Sequence, residues 1–479
     1  MQDLIILELI IAAVLFLAII RPFVKRFQGI EGIAALPTIA LVAAIAVFPA
    51  YGFRPEFMPL LAFSLILFLG SIPRLLDVLR RLRTDDYGER SFIRLAFGLL
   101  ALGTVSVFAV MYAPKSERIE ESGYRVALIH DEARDVDLSL RYFAPATDGT
   151  GASRRPFILI APPLSGSVSV MTRLCAALTE RGFSAATFSH VGADIPAYLP
   201  DGARAYPSGR TFLAGAGAFV WGRRYAVANR AGSAIERERA ADIAFIVKHV
   251  RDAAVREDPP YGAIDIDRIV VAGFGSGGAA ATIYAASSEA ASIAAAVAVE
   301  GPILSALRSE GNGSATPHAE AAGSIPPAIA ELFARFKVER IVGTGSVPAP
   351  TVPTLFLVSD RVAEPADRDG RYVTVLRALR TAKVPCALAS VDGAGPLDYS
   401  DIGQEYPLYA AMMPGLKRQP RAPGFFVMKA ADLIANFVAV TVPQVEGTPR
   451  LTRTALGEEF RVEAGGSWTA ADIAAILRP

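Results

Sequence analysis

The sequence predicts a mixed α/β domain with a mostly parallel central sheet flanked by helices, preceded by a transmembrane region of four helices. Two observations predict this arrangement. After about residue 115, strand-like segments alternate with helix-like ones, which is typical of a parallel sheet. Before that point the chain is strongly apolar, and this excess gives the whole chain a mean hydropathy of +0.37. The 479 residues suffice for one large domain and additional segments.

Four apolar runs lie in the region 1–114, and each is near the roughly 20 residues that a helix needs to cross a hydrocarbon layer of about 30 Å. They are 4–20, 33–49, 57–72 and 92–113. The second and third are short enough to form a tight hairpin instead. A signal peptide followed by buried core helices is the alternative, but the first run has no basic start and no Ala-x-Ala cleavage site.

Lysine and arginine are concentrated in two of the short loops between these runs, at 21–26 and at 74–94. Because basic loops stay in the cytoplasm, both termini are expected outside, and so is everything after Ala113. The lipid bilayer is therefore an expected partner, and the protein is expected to be a multi-pass membrane protein with an extracytoplasmic C-terminal domain.

Charge and cysteine content exclude several classes of function. The net charge of +1 provides no overall attraction to nucleic acid. Cys175 and Cys386 are predicted to be buried small apolar side chains, with a disulfide as the less favoured alternative. No Cys/His cluster has the spacing of a zinc site, so neither a metal nor a cofactor is expected.

Residues 115–441 contain the predicted domain. The expected strands are 124–130, 135–143, 157–161, 184–189, 269–272, 293–299, 351–358 and 385–391. The expected helices are 168–180, 234–253, 277–286, 371–381 and 422–440. Two long segments, 191–231 and 304–349, are predicted insertions. Segments of this length usually either cover a functional site or are disordered. The second is expected to contain a helix at 327–336. The tail 442–479 is expected to be peripheral.

The segment from Ile269 to Gly278 is the most informative motif. A buried strand leads through a glycine turn into a helix of small residues, which is the layout of a nucleophile elbow: Gly, any residue, nucleophile, any residue, Gly. Aligned on the glycines, the nucleophile position is Gly275. Ser276 follows one residue later, where a first-turn or N-cap role in the helix is the favoured interpretation.

The soluble part resembles the α/β-hydrolase fold, and within it the platelet-activating-factor acetylhydrolase and dienelactone-hydrolase-like esterases. The likeness covers roughly residues 120–440. It depends on the elbow at 273–278, the helix segment 239–246, acidic residues at strand ends, and the late motif 393–401, which is similar to the family's Gly-x-Gly-His-x-Asp-(Phe/Tyr)-Ser-Asp turn.

The resemblance implies a nucleophile, a histidine base, an orienting acid and oxyanion donors. The family's histidine position holds Pro396, which cannot transfer a proton. Glu300 and Asp360 end successive strands at positions that relatives use for the acid, with turn capping as the alternative role. At the oxyanion position, Pro162 and Pro163 remove two N–H donors.

The four histidines offer one fallback base. His190 ends the fourth strand at the functional edge of the predicted sheet, whereas no histidine follows the last strand. His249 is predicted to be a half-buried structural residue on the long helix. His318 lies in the second insertion, and His130 belongs to the first strand.

Three functions remain open from the sequence. The favoured one is a catalytically degenerate, membrane-anchored α/β-hydrolase-like protein that binds a ligand or partner, with contacts at Gly275, Ser276, Gly277 and Leu164. The second is an active esterase or lipase built on Ser276. The third is a dinucleotide-binding protein, because Gly273-x-Gly275-x-x-Gly278 fits that fingerprint and Glu300 follows at roughly the expected distance.

Overall fold

The protein, seen in a computed structural model, divides into two compact units, Met1–Lys115 and Ser116–Pro479. The structure describes the following residues: 2–21, 24–28, 30–51, 57–80, 124–145, 154–163, 168–194, 197–201, 203–208, 211, 214–215, 226–301, 307–309, 341–344, 349–359, 373–402, 424–442, 451, 454–456 and 460–477.

In its described residues, the N-terminal unit consists of three apolar α-helices and one short basic α-helix, Lys25–Gln28. They are α1 (Gln2–Ile20), α2 (Lys25–Gln28), α3 (Leu36–Tyr51) and α4 (Met58–Leu79). A small core joins three of them, formed by Ile11, Leu15, Ala40, Ala44, Val47, Phe57 and Phe63. The outward faces are apolar as well, with large exposed side chains such as Leu9, Phe16, Val42 and Leu69. An amphipathic helix of a water-soluble domain would place polar residues there.

The expectation of four membrane spans is only partly met. Among the residues described, one helix, Leu60–Val78, is long and apolar enough to cross a membrane by length and composition. Leu9–Ile20 and Glu31–Val47 are shorter apolar helices. The fourth predicted span, 92–113, lies outside the described residues.

The second unit is built on a nine-stranded sheet. Its strands are β1 (Tyr124–Asp131), β2 (Val136–Phe143), β3 (Arg155–Ala161), β4 (Ser184–His190), β7 (Ile264–Phe274), β8 (Ala295–Val299), β11 (Thr354–Ser359), β12 (Pro385–Val391) and β13 (Phe460–Gly466), in the spatial order β1-β2-β4-β3-β7-β8-β11-β12-β13. The six strands from β4 to β12 in this order run parallel, and β1, β2 and β13 are antiparallel to their neighbours. The predicted mixed α/β class with a mostly parallel sheet is confirmed.

Helices cover both faces of this sheet. They are α5 (Thr172–Glu180), α6 (Ala226–Val255), α7 (Ser276–Ala285), α8 (Val373–Thr381), α9 (Phe425–Thr441) and α10 (Ala470–Leu477). One core layer packs α5, α9 and α10 against the sheet, and the opposite layer packs α6 and α7. Because both faces are covered, the central strands are continuously buried, as parallel strands require.

The two insertions contribute short strand pairs. In the first, β5 (Ala197–Tyr198) pairs with β6 (Arg204–Ala205); in the second, β9 (Leu307–Ser309) pairs with β10 (Ile341–Thr344). The helix predicted at 327–336 lies outside the described residues. Helix α6 begins at Ala226, earlier than its periodicity predicted.

The tail differs from its expected peripheral role. Its strand β13 extends the sheet beside β12, and its helix α10 packs on α9. Asn436, fully buried on α9, donates hydrogen bonds to the carbonyl oxygens of Thr454 (2.7 Å) and Ile476 (2.8 Å) and accepts one from Thr454 N (3.0 Å). Strand pairing, core packing and the buried amide of Asn436 together join the tail to the domain.

Candidate functional site

The glycine turn between β7 and α7 has the backbone geometry of a sharp strand-to-helix turn. Gly275 lies between Phe274, the last residue of the strand, and Ser276, the first of the helix, with φ +58° and ψ −121°. A positive φ strains a residue that has a side chain, and nucleophile elbows use such a strained turn to expose their nucleophile. Gly275 is thus at the point of the turn and has no side chain to present.

Close backbone packing holds this turn at the sheet edge. A Cβ built on Gly273 would lie 2.1 Å from the carbonyl oxygen of Gly277, and one on Gly277 would lie 2.3 Å from that of Ala161. A Cβ on Gly278 would lie 2.8 Å from the carbonyl oxygen of Val299. Glycine is therefore required at these three positions because β3, β8 and the start of α7 meet there backbone to backbone.

The space in front of Gly275 is bordered by proline. A Cβ at Gly275 would lie 3.2 Å from Cβ of Pro163, which follows β3. Neither Pro162 nor Pro163 has an N–H group to donate to an oxyanion. Leu164, the remaining predicted contact of this turn, lies outside the described residues.

Ser276 is the first residue of α7. Its Oγ is buried and has no hydrogen-bond partner among the residues described, and it does not cap the helix. The first backbone N–H groups of a helix have no acceptor within it, so the Ser276 N–H is available at the turn. The side chain is one residue past the point where the turn would expose a nucleophile.

Glu300 joins the ends of two neighbouring strands. It follows β8 with φ +50°, an uncommon conformation for a residue with a side chain, and it is buried. Its carboxylate accepts a hydrogen bond from the Ser359 amide at the end of β11, and its own amide donates to the Leu357 carbonyl at 2.8 Å. The second candidate acid, Asp360, lies outside the described residues.

The motif 393–401 connects β12 to the neighbouring strand. The Gly395 amide donates to Asp398 Oδ2 at 2.7 Å. The Tyr399 hydroxyl, fully buried, donates to the Val358 carbonyl (2.9 Å) and accepts from the Val391 amide (3.2 Å). The described hydrogen bonds of this turn therefore hold the turn itself and connect it to the two neighbouring strands.

The end of the same motif holds the start of α5. Asp401 Oδ2 accepts a hydrogen bond from the Arg173 amide at 3.0 Å, and the Arg173 Nε lies 3.4 Å from its other oxygen. Pro396, at the position where the resemblance implies histidine, is half-buried in this turn. The motif thus keeps its fold-stabilising bonds with proline in place of a proton-transferring side chain.

His190 belongs to a buried ionic network. Its Nδ1 lies 3.1 Å from Asp242 Oδ2, and its amide donates to Asp194 Oδ2 at 2.7 Å. Arg239 binds both oxygens of Asp194, at 2.9 and 2.5 Å. Arg134 reaches the other oxygen of Asp242 at 2.8 Å. These groups are nearly inaccessible to solvent except for Arg134.

Proton affinities in the network follow from these contacts. Burial by itself lowers the pKa of His190, but the hydrogen bond and the charge of Asp242 outweigh it, and the pKa is raised above 6.5. Burial would raise the pKa of Asp242, but the bonds to His190 and the charge of Arg239 bring it below its usual value. Both shifts favour the protonated histidine beside the ionised aspartate.

The register of the sheet fixes where His190 lies relative to the glycine turn. Thr187 pairs with Ile160, and Ala161 pairs with Gly273. Continued to the strand ends, this register puts His190, Pro163 and Gly275 in one row. Since neighbouring strands are about 4.8 Å apart, the backbones of His190 and Gly275 are on the order of 10 Å apart, with Pro163 between them.

The other histidines are placed elsewhere. His130 is on the β1 edge, where its Nδ1 lies 2.9 Å from Asp137. His249 lies half-buried on α6 with its ring 5.7 Å from that of Tyr261, and burial lowers its pKa. His318 is outside the described residues.

Sequence reasoning did not foresee the ionic network. Its signal was present: Arg239 and Asp242 are three residues apart on a helix, and Asp194 follows the strand-ending His190 by four residues. In the described part of the chain no group of three or more His, Cys, Asp or Glu side chains could hold a metal ion.

Comparison with known proteins gives one family match. The model of the TP_0976_N family, an N-terminal domain, matches residues 2–111. This match covers the N-terminal unit and not the sheet-containing unit. A search of curated proteins returned no match.

Solved structures with similarity to the chain include esterases. A ferulic acid esterase from Streptomyces cinnamoneus is 15% identical, with 71% of this chain and 99% of that chain covered and a TM-score of 0.43. Esterase 2 of Thermogutta terrifontis, phosphoramylated by tabun, is 16% identical, with 68% and 99% covered and a TM-score of 0.37. A thioesterase domain from the curacin biosynthetic pathway is 11% identical, with 60% and 98% covered and a TM-score of 0.31. At these TM-scores the similarity supports no inference about activity.

Proposed function

We propose that residues 115–441 form an α/β-hydrolase-type domain that has lost its catalytic groups and acts by binding a ligand or partner. The supporting observation is Gly275, which adopts φ +58° and ψ −121° between β7 and α7 without a side chain. The mostly parallel sheet, covered by helices on both faces, agrees with this superfamily. The motif 393–401 favours the branch of the platelet-activating-factor acetylhydrolases and dienelactone hydrolases.

Loss of the catalytic groups would remove most of the rate. Removing a nucleophile or a base from a triad costs on the order of a million-fold, or about 8 kcal/mol of barrier. Oxyanion donors and binding alone retain roughly a thousand-fold over water. Here Pro162 and Pro163 also remove donors from the turn after β3. Efficient ester hydrolysis is therefore not the favoured activity.

The binding position in this proposal is the start of α7. The candidate contacts are Gly275, Ser276, Gly277 and Leu164. The backbone N–H groups at a helix N-terminus and the helix dipole favour a negative group, so a ligand with a carboxylate or phosphate is expected. The dinucleotide alternative is less favoured, since the buried carboxylate of Glu300 is already bonded to the Ser359 amide.

The N-terminal unit supplies the second part of the proposal, a membrane anchor. The outward faces of α1, α3 and α4 expose large apolar side chains that water would not solvate favourably. A bilayer would bury them. We place the sheet-containing domain on the extracytoplasmic side, from the basic loops at 21–26 and 74–94.

A second candidate function is supported by one pair of observations. His190 is held by Asp242 as the base of a triad is held by its acid, and the Ser276 Oγ has no partner within the described residues. An esterase built on these two residues, with Glu300 or Asp360 assisting, would use a non-standard arrangement. The backbones of His190 and Gly275 are on the order of 10 Å apart with Pro163 between them, which disfavours direct proton transfer between His190 and Ser276.

Fluorophosphonate labelling of the full chain distinguishes the two functions. We expect the wild-type protein to remain unlabelled, because an activated serine is needed for the reaction. The Ser276→Ala variant is the matched control. Labelling of the wild-type protein that disappears in this variant would show Ser276 to be an activated nucleophile and would overturn the proposal.

Two further variants separate a missing nucleophile from a missing base. Gly275→Ser restores a hydroxyl at the point of the turn, although its strained φ costs about 1–3 kcal/mol. It should remain unlabelled by itself, and labelling should appear only with Pro396→His added. Rapid labelling of Gly275→Ser alone would identify a base that the proposal denies, with His190 the first to test.

A further inference from the structure

The two ends of the first insertion converge on His190. The segment 191–194 leaves β4 directly after it, and the amide of His190 is fixed by Asp194. The chain returns through α6, whose Glu238, Arg239 and Asp242 face the same histidine. Since Arg239 binds Asp194 and Asp242 binds His190, ion pairs join both ends of the insertion to the sheet edge.

Charged groups reach this cluster from each element packed around it. The turn between β1 and β2 contributes Asp131 and Arg134, bonded to each other at 2.5 Å, and Arg134 continues to Asp242. The insertion contributes Asp194. Helix α6 contributes Glu238, Arg239 and Asp242, and it also buries Glu236. Carboxylates outnumber arginines in this set, so a positive charge on His190 reduces the excess of negative charge without cancelling it.

We propose that His190 is a proton-dependent clamp that holds the ends of the insertion 191–231 to the edge of the sheet. Protonated, its ring is a cation between Asp242 and Glu238, at 3.1 and 3.7 Å. Deprotonated, it keeps at most a neutral hydrogen bond, and the buried carboxylates lose one compensating charge. The clamp is independent of the proposed ligand-binding function.

The direction of the pH effect follows from the contacts. Burial opposes protonation of His190, but Asp242 outweighs it and raises the pKa above 6.5. A group whose folded pKa is raised stabilises the fold fully at pH values below its unfolded pKa. This stabilisation is lost as the pH rises through the folded pKa. The clamp is therefore fully formed below the unfolded pKa and loosens as the pH rises through the higher folded pKa of His190.

Amide hydrogen exchange of the full chain, followed by mass spectrometry between pH 6 and pH 8, tests the clamp. Protection is corrected for intrinsic exchange rates and compared with the core strands β7 and β8. In the wild-type protein, protection of peptides covering 197–205 and 226–238 should fall about tenfold relative to the core, as local opening becomes easier. His190→Gln should show no such fall.

Two variants keep the test decisive if His190→Gln does not fold. Glu238 is half-exposed, so Glu238→Gln should fold, remove a charge that favours protonation, and move the loss of protection to lower pH. His130→Gln removes an exposed histidine whose pKa Asp137 raises, and it should keep the wild-type profile. A flat wild-type profile, an unmoved Glu238→Gln profile, or a loss of the effect in His130→Gln would each overturn the proposal.

Discussion

At the scale of single residues, the glycines of the turn are required for two different reasons. Gly275 is constrained by its own backbone, whose positive φ disfavours a side chain, while the nearest atom to a built Cβ is 3.2 Å away. Gly277 is constrained by its surroundings, because a Cβ would lie 2.3 Å from a backbone oxygen of β3 that cannot move freely. The sequence motif alone does not separate these reasons.

This difference gives a stability prediction. Gly277→Ala should lower the free energy of unfolding by about 3 kcal/mol, because the added methyl group forces α7 away from β3. The midpoint of urea unfolding measures the effect. Gly70→Ala, in helix α4 of the other unit, is a control for a helical glycine with open space around it, since nothing lies within 4 Å of a Cβ there. An unchanged midpoint for Gly277→Ala would contradict the backbone contact.

At the scale of secondary-structure elements, the tail is the part whose role the structure changed. Strand β13 covers the edge of β12, and Asn436 makes three hydrogen bonds to the tail backbone. A composition-based interpretation had no reason to expect this, because the strand and the amide are far apart in sequence. Covering an edge strand also protects the sheet from pairing with other chains.

The amide at position 436 can be tested by two substitutions. Asn436→Ala should destabilise the protein by about 3 kcal/mol, since it leaves buried backbone groups of Thr454 and Ile476 unsatisfied. Asn436→Asp should be worse at pH 7, because a carboxylate cannot donate to two carbonyl oxygens and is buried beside them. Chemical denaturation at pH 7 and pH 5 measures both variants. Equal stability of Asn436→Asp and the wild type would contradict the described bonding.

At the scale of the whole molecule, the two units have opposite surfaces. In the described residues most of the exposed large apolar side chains belong to the first unit, and in the second unit only Tyr124, Leu128 and Val255 are of this kind. The exposed apolar surface of the first unit agrees with the proposed membrane anchor, and the second unit has far fewer such side chains among its described residues.

Extraction experiments test this contrast. The full chain should remain with the membrane fraction after an alkaline carbonate wash and should leave it only with detergent, because the proposed anchor buries its outward apolar side chains in the bilayer. A reporter fused after Pro479 should then be active only outside the cytoplasm. Release of the chain by carbonate would contradict the anchor, and a cytoplasmic reporter signal would contradict the orientation.

Local patterns in the sequence were sufficient to find the alternation of strands and helices, the glycine turn, and the residues at the point of that turn. These features depend on local periodicity and on the unique backbone freedom of glycine, so a single sequence suffices to find them. It also placed His190 at the end of β4, because the end of a buried strand can be read from its apolar run. Three of the four predicted apolar runs correspond to helices in the described residues, but only one of these helices is long and apolar enough to cross a membrane by length and composition.

The contacts that those residues make are visible only in the folded structure. The pairing of His190 with Asp242, of Arg239 with Asp194, and of Asn436 with the tail joins positions from 18 to 52 residues apart. Whether Pro163 faces Gly275 depends likewise on the order of β3 and β7 in the sheet. Such contacts leave no local pattern, because packing of distant segments, rather than the preference of any one residue, brings them together.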